Sequence, residues 1–413
     1  MTGNYVCAFR GRRDNYQVPL ALAEIDRLDQ FITDAYVPVA GRALAWAAPI
    51  PARWKEKLAL RWGSSIPAAR VRCLWATTAL EHTRHHLGFA KIETFAKLDK
   101  RFSRAAAARA RRAKTNLLLY TPYAWEAFAR SHYPRHTPRK LLFQHHPHSD
   151  FENRLLTEDL KRFPEIGLSY AEATGCRLAP SLRARTVHCW READLILCAS
   201  TFTRRTLLEV GADFARCIVV PYGFEMPPTG VEPAKQEHTS NPISRFRALF
   251  VGSGVQRKGL HHLLHAWNRA RLPKDSELTL VCRSLDPGLE ELVTRSRMTR
   301  LLRGVSSDQL VQLYQEHSLF VMPSLTEGFG QVFLEALSFG CSVLGTVHTC
   351  LPDLGTDEDG IFLSNVADLV HLTHRLEQLA SLLPSRPELR ARAASRARAF
   401  TWARFREGVK SCL

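Results

Sequence analysis

Residues 318–340, SLFVMPSLTEGFGQVFLEALSFG, constrain the fold more than any other part of the chain. The apolar run 319–322, stopped by Pro323, predicts a buried strand. A polar turn follows, with Ser324, Thr326, Glu327, Gly328, Phe329 and Gly330. Phe333, Ala336 and Leu337 then recur at helical spacing, and Gly340 ends the helix. Strand, glycine turn and helix place Glu327 in the loop and Glu335 in the helix that leaves it. Glycines let a ligand approach the backbone, and the free N–H groups of the helix start point at it. A carboxylate accepts hydrogen bonds from neighbouring hydroxyls, so the turn suits a ligand carrying both phosphates and hydroxyls.

Either glutamate alone reads as a solvated side chain on an ordinary βα turn. Together, with Glu-Gly-Phe-Gly between them, they point to a site. The pattern E-G-F-G-x-x-x-x-E-A-L-x-x-G resembles the E-x7-E motif of the retaining glycosyltransferases of family 4, which have the GT-B fold. That resemblance implies two Rossmann-like domains facing each other across a cleft, with a C-terminal helix crossing back to the N-domain.

The rest of the chain agrees in outline. Its 413 residues suit two domains rather than one core. No apolar run is long enough to span a bilayer, and the N-terminal run is too short for a signal peptide's core. The ten cysteines show no C-x-x-C spacing, and Cys7, Cys198, Cys217 and Cys282 fall in predicted strands, which suits reduced thiols in the cytoplasm. The formal net charge of +17 calls for an anionic partner: a phosphorylated substrate, a membrane surface or nucleic acid. Zinc-finger spacing and an RNP-type aromatic strand are both lacking, so nucleic acid ranks last.

In the first half, a strand at 5–9, Gly11 in a turn, a helix at 18–28 and a strand at 30–36 make a Rossmann-like opening. Gly11 is either a plain tight turn or, as the resemblance implies, an approach to the donor phosphates. The chain reads as helical over 70–113 and increasingly basic between Lys97 and Lys114. That basic helix is either a solvated face or a means of peripheral association with the inner face of a membrane. His82, His85 and His86 read as surface. Strands at 116–120 and 140–145 end in Thr121-Pro122 and His146-Pro147-His148, at strand ends where α/β sheets place ligands. The resemblance implies a histidine there in contact with the reacting sugar; His145 aligns best, with His146 and His148 as rivals. Residues 193–223 look like the last βαβ unit of the N-domain, and Ser200 in it is explained as a helix cap.

The stretch 226–244, rich in proline and poor in apolar residues, reads as a linker between domain 1–225 and domain 245–395, with 396–413 as the returning helix. A second Rossmann-like unit opens at Arg247 and leads through Gly252 and Gly254 to Arg257, Lys258 and Gly259. This G-x-G lacks the third glycine and the acidic residue of a dinucleotide fingerprint, which argues against a nicotinamide oxidoreductase. Two cations at a helix start are opposed by its dipole unless an anion offsets them, and a diphosphate would. His261 and His265, one turn apart, read as surface. Asp357-Glu358-Asp359 matches D-x-D formally but falls in an acidic loop, and no metal or other cofactor is expected.

The resemblance thus implies sugar transfer from a nucleotide-diphosphate sugar to a glycan or lipid-linked acceptor hydroxyl, in cell-envelope or exopolysaccharide assembly. Arg257 and Lys258 would take the diphosphate charge, and Gly328, Phe329 and Gly330 would present the backbone. Glu335 would bind the ribose, Glu327 the donor sugar, and His145 would sit at the reacting centre. A non-catalytic protein that binds a nucleotide sugar or an anionic surface is the alternative.

Overall fold

The computed structural model describes residues 3–38, 55, 61–63, 66–75, 91–134, 136–167, 180–225 and 246–413. The expected linker and His82, His85 and His86 lie outside the described residues. Two parallel sheets carry the fold. The first contains β1 (Tyr5–Ala8), β2 (Leu28–Thr33), β5 (Val71–Cys73), β6 (Asn116–Tyr120), β7 (Lys140–Gln144), β8 (Leu195–Cys198) and β9 (Cys217–Val219), in the order β5-β2-β1-β6-β7-β8-β9. A short ladder of β3 (Val37–Pro38) and β4 (Trp62–Gly63) stands beside it. The second sheet has the order β12-β11-β10-β13-β14-β15. Its strands are β10 (Arg247–Val251), β11 (Glu277–Val281), β12 (Thr299–Leu302), β13 (Leu319–Val321), β14 (Ser342–Thr346) and β15 (Ile361–Ser364).

Strand character follows from the apolar runs. Leu117–Tyr120, Leu141–Phe143 and Leu319–Val321 are buried throughout, as strands covered on both faces must be. Each sheet reverses its strand order once beside its first strand, between β1 and β6 and between β10 and β13. Crevices outside the carboxyl ends of strands at such switch points are where open α/β sheets bind ligands. The turn after β1, Thr121 after β6, the Gly252–Gly259 turn and the Glu327 loop all leave from these points.

Two expected elements differ. The helix expected from residue 18 ends at Glu24, because Asp26 turns left-handed (φ 56°) and Leu28 joins the ladder against Tyr5. The helix expected over 70–113 instead includes an edge strand, Val71–Cys73 paired with β2, before the helix Lys91–Ala113. The β-branched and cysteine residues there pair with an open sheet edge that the basic composition did not reveal.

The last helix, Trp402–Ser411, returns to the first sheet. Phe405 packs on Phe143 and Tyr222 at centroid distances of 5.8 and 5.4 Å. Arg406 and Lys410 pair with Glu24 at 2.7 and 2.6 Å, and Arg139 donates to the carbonyls of Cys412 and Leu413. The crossing is tight: a Cβ on Gly223 would fall 2.3 Å from the carbonyl carbon of Thr401. Phe405→Ala is expected to cost about 3–5 kcal/mol, as truncation of a buried aromatic does; urea unfolding checks it, and a loss well under ~1 kcal/mol would deny the docking.

Candidate active site between the two sheets

The C-terminal wall is built from the loops after β10 and β13. Gly259 is left-handed (φ 68°), and a Cβ there would meet the Pro323 carbonyl oxygen at 2.0 Å, so only glycine lets the first loop close on the second. The Leu325 N–H donates to the Arg257 carbonyl at 2.9 Å, which fixes the register between the loops. Arg257 Nη1 then reaches Glu327 Oε2 at 2.9 Å and the Thr326 carbonyl at 3.0 Å. Lys258 Nζ reaches the same Glu327 oxygen at 3.1 Å. Burial alone would raise the Glu327 carboxyl, but Arg257 and Lys258 overcome it and hold Glu327 well below the usual carboxylate range. The trio keeps one net formal positive charge at the start of a helix. Gly330, at φ 86°, turns the chain into helix Gln331–Ser338, which carries Glu335. Burial pushes the Glu335 carboxyl up, opposed by the Tyr314 hydroxyl, which donates to it at 3.3 Å.

The N-terminal wall meets this one backbone to backbone. A Cβ on Gly328 would lie 1.9 Å from the His145 carbonyl oxygen and 3.0 Å from the His146 Cα. Ser200 Oγ donates to the Gly328 carbonyl at 2.6 Å while accepting from the Thr203 N–H at 3.1 Å. The helix cap is thus also a tie between the two halves. Thr203 Oγ1 adds a second bond to that carbonyl at 3.1 Å.

The three rival histidines separate by environment. His148 caps helix Ser149–Arg162 and places its Nε2 3.0 Å from the Val187 carbonyl, so its ring is spent on structure. The rings of His145 and His146 lie 4.4 Å apart, and the Nδ1 atom of each is closed off from solvent without a partner. His146 is pushed down to about 4, by burial and then by Arg257, with Glu327 opposing. His145 is held well below its ordinary value by burial, then by Arg13 and His146. Both rings are therefore neutral, and His146 is the one within the field of the Arg257–Lys258–Glu327 trio. Gly11 donates its N–H to Asp34 at 3.0 Å and lies against Arg61. Two residues on, Arg13 carries a charge that reaches His145.

Two groups escaped the sequence reading. Glu152, in the first turn of the helix after the histidines, is raised to about 7 by burial, with Arg257 opposing and Glu327 reinforcing. Its position one helical turn past His-His-Pro-His was the available signal. The second group corrects the reading of His261 as surface: it is fully buried. Asp159 Oδ2 lies 2.9 Å from His261 Nε2, and Asp159 Oδ1 lies 2.6 Å from His262 Nε2. Gln256 donates to Asp159 at 2.9 Å, and Phe163 covers both imidazoles. His265 is partly buried against Glu165 at 3.5 Å rather than free on the surface. Asp159, His261 and His262 form the one cluster with metal-ligand chemistry among the described residues, and its spacings are those of hydrogen bonds. Asp357 and Glu358 are engaged by Arg375, Arg386 and Arg392, and Asp359 by Thr356.

The sign of the pH dependence follows. His261 is lowered to about 4 by burial, so the unfolded chain binds its proton first as pH falls. Stability from this group is present above the ordinary histidine value near 6.5 and is lost as pH falls from there toward about 4. The thermal midpoint should fall over that window, and His261→Gln should flatten the slope; an unchanged slope would remove His261 from the account. Gly328→Ala should destabilise by about 1–3 kcal/mol, the usual cost of overpacking, and lower any turnover, since its Cβ forces the walls apart.

Comparisons with known proteins bear on both halves. Residues 245–381 match the family model described as Glycosyl transferases group 1. The MMP alpha-(1->4)-mannosyltransferase of Mycolicibacterium hassiacum is 29% identical over 196 residues, 46% of this chain and 46% of that protein. The chain thus spans about half the length of that curated relative. Sucrose-phosphate synthase from Thermosynechococcus elongatus superposes with a TM-score of 0.61 at 15% identity, covering 98% of this chain and 96% of that one. Anabaena Alr3699/HepE, in complex with UDP and glucose, gives 0.57 at 15% identity over 99% of each chain. The chain has the GT-B fold: two Rossmann-like sheets facing each other, with the last helix crossing back.

Proposed function

We propose that this protein is a retaining glycosyltransferase that uses a nucleotide-diphosphate sugar. The observation that carries the reading is the convergence of Arg257 and Lys258 on Glu327, at the carboxyl ends of the two strands flanking the switch point and opposite His146. The match of residues 245–381 to a glycosyl transferase model and the likeness to a UDP-bound structure support it.

In this reading the departing diphosphate takes over the two cations from Glu327. Fixed charges in a site shielded from water stabilise that leaving group without reorganisation, and no metal is required. Glu327, freed in part, accepts from hydroxyls of the transferred sugar, and Glu335 accepts from the ribose. The glycosidic C–O bond to the phosphate breaks as the acceptor hydroxyl attacks on the same face, and its proton passes to the leaving phosphate. His145 and His146, both neutral, line the reacting centre as hydrogen-bonding groups. The acceptor is a glycan or lipid-linked sugar. Arg104, Arg111, Arg112 and Lys114 are exposed along and just past helix Lys91–Ala113 and offer a basic face to an anionic membrane. Among the described residues, no helix is long and apolar enough to cross one.

Lys258→Ala is expected to lower turnover ~100-fold or more, through loss of a charged contact made in the transition state. The first measurement is a thermal-shift screen against nucleoside diphosphates without added metal. A ligand at ~100 times its Kd stabilises by about 2.7 kcal/mol. A shift with one diphosphate, lost in Arg257→Ala or Lys258→Ala, fixes the base and the site; near-normal turnover in Lys258→Ala sinks the assignment. Co-sedimentation with anionic liposomes that weakens with salt is expected from the basic face, and binding indifferent to lipid charge and salt would dispose of it.

A further inference from the structure

Apart from the Glu327 turn, the two halves meet through a cluster that the proposed chemistry does not use. Asp159 stands on helix Ser149–Arg162 of the first half. His261 and His262 are consecutive on helix Leu260–Arg269 of the second. All three are buried, at 2%, 0% and 2% exposure, and one ligand atom from each lies within 4.8 Å of the others. The carboxylate divides itself between the rings: Oδ2 lies 2.9 Å from His261 Nε2, and Oδ1 lies 2.6 Å from His262 Nε2.

The placement is held from both sides. Gln256 Nε2 donates to Asp159 Oδ2 at 2.9 Å and to the Leu156 carbonyl at 2.8 Å. The Phe163 ring lies 5.1 and 4.8 Å from the two imidazoles. A Cβ on Gly288 would fall 1.7 Å from the Glu165 carbonyl oxygen, so the end of this first-half segment rests directly on second-half backbone.

Buried charges are paired or coordinate metals. Burial opposes the charge on Asp159, and the two imidazoles favour it and hold the carboxyl below its ordinary range. Among the described residues its ion-pair partners are these imidazoles, with no lysine or arginine. Both Nδ1 atoms are closed off from solvent without a partner, so Nε2 is the engaged nitrogen of each ring, and both are aimed at one carboxylate. Two imidazole nitrogens and a carboxylate oxygen make a donor set for zinc, whereas magnesium and calcium ask for oxygen ligands. Zinc at ~2.0–2.1 Å from its ligand atoms keeps tetrahedral neighbours about 3.3 Å apart, so the present spacings need open by only a few tenths of an ångström. Each ring then carries its proton on Nδ1, and the second carboxylate oxygen or a water completes four ligands. The Gln256 bond is the kind of outer contact that orients a ligating carboxylate.

We propose that Asp159, His261 and His262 form a zinc site that clasps the two halves. The ion takes no part in sugar transfer, and the inference stands apart from that reading. Because the donors come from both halves, the site is complete only while they are docked, and the ion holds them so.

The test uses the full chain, stripped with EDTA and desalted. Zinc, magnesium and calcium are added separately at equal concentration. Zinc is expected to raise the thermal midpoint by ~2 °C or more, and magnesium and calcium to leave it unchanged. Cobalt(II) in place of zinc should give the visible bands of a tetrahedral site without the near-ultraviolet band of thiolate ligation, which separates this site from the cysteines. Hydrogen exchange should slow on zinc addition in both Ser149–Arg162 and Leu260–Arg269. Asp159→Asn and His262→Gln should each lose the zinc shift. No shift with zinc, an equal shift with magnesium or calcium, a thiolate band, slowing confined to one of the two helices or absent from both, or a zinc shift that survives in folded Asp159→Asn overturns the proposal. If neither variant folds, the cobalt spectrum and the exchange pattern of the wild type decide.

Discussion

A single carboxylate oxygen, Glu327 Oε2, holds the C-terminal wall in its working shape. Two cations at 2.9 and 3.1 Å would repel each other across a buried turn without it. Removing one partner from a buried charge cluster costs far more than the cluster adds to stability. The arrangement is therefore better suited to function than to strengthening the fold. It holds two cations on one carboxylate oxygen in a largely buried turn, with their orientation already set. The same field reaches across the cleft and, with burial, keeps the His146 ring neutral.

The two halves touch through features of different kinds. Beside the Glu327 turn the contact is backbone on backbone, Gly328 against His145, fastened by Ser200. Farther out it is a buried hydrogen-bonded knot in which Asp159 of the first half receives two imidazoles of the second. The first contact sets how closely the walls approach, because no side chain stands between them to be repacked. The second responds to protonation through His261, whose imidazole meets Asp159 through Nε2 and has no partner at Nδ1.

Much of this was legible in the chain. Strands such as Asn116–Tyr120 announce themselves by unbroken apolar runs, and the Glu327 turn by glycines placed between a strand and a helix. Two cations at a helix start called for an anion, and in the structure the anion that Arg257 and Lys258 meet is Glu327. What escaped was long-range. Asp159 and His262 are separated by 103 positions, and local spacing says only that His261 and His265 share a helix face, not what covers it. Arg13 was hidden for another reason. A reader of the turn attends to its glycine, while Asp14 beside the arginine is tied to tyrosines from β6 and from the crossover near the second half. Val71–Cys73 was lost inside a basic stretch because an edge strand needs only one neighbour and leaves little pattern.

The returning helix Trp402–Ser411 also bears on how the molecule is made. Its partners, Gln17, Glu24, Phe143 and Tyr222, are synthesised long before it. During translation the first sheet must wait with that apolar face uncovered while the whole second sheet emerges and folds. Contacts of such wide sequence separation form late and slowly. Until this helix emerges, the early half leaves an aromatic patch around Phe143 and Tyr222 uncovered, and transiently exposed apolar surface of that kind favours association.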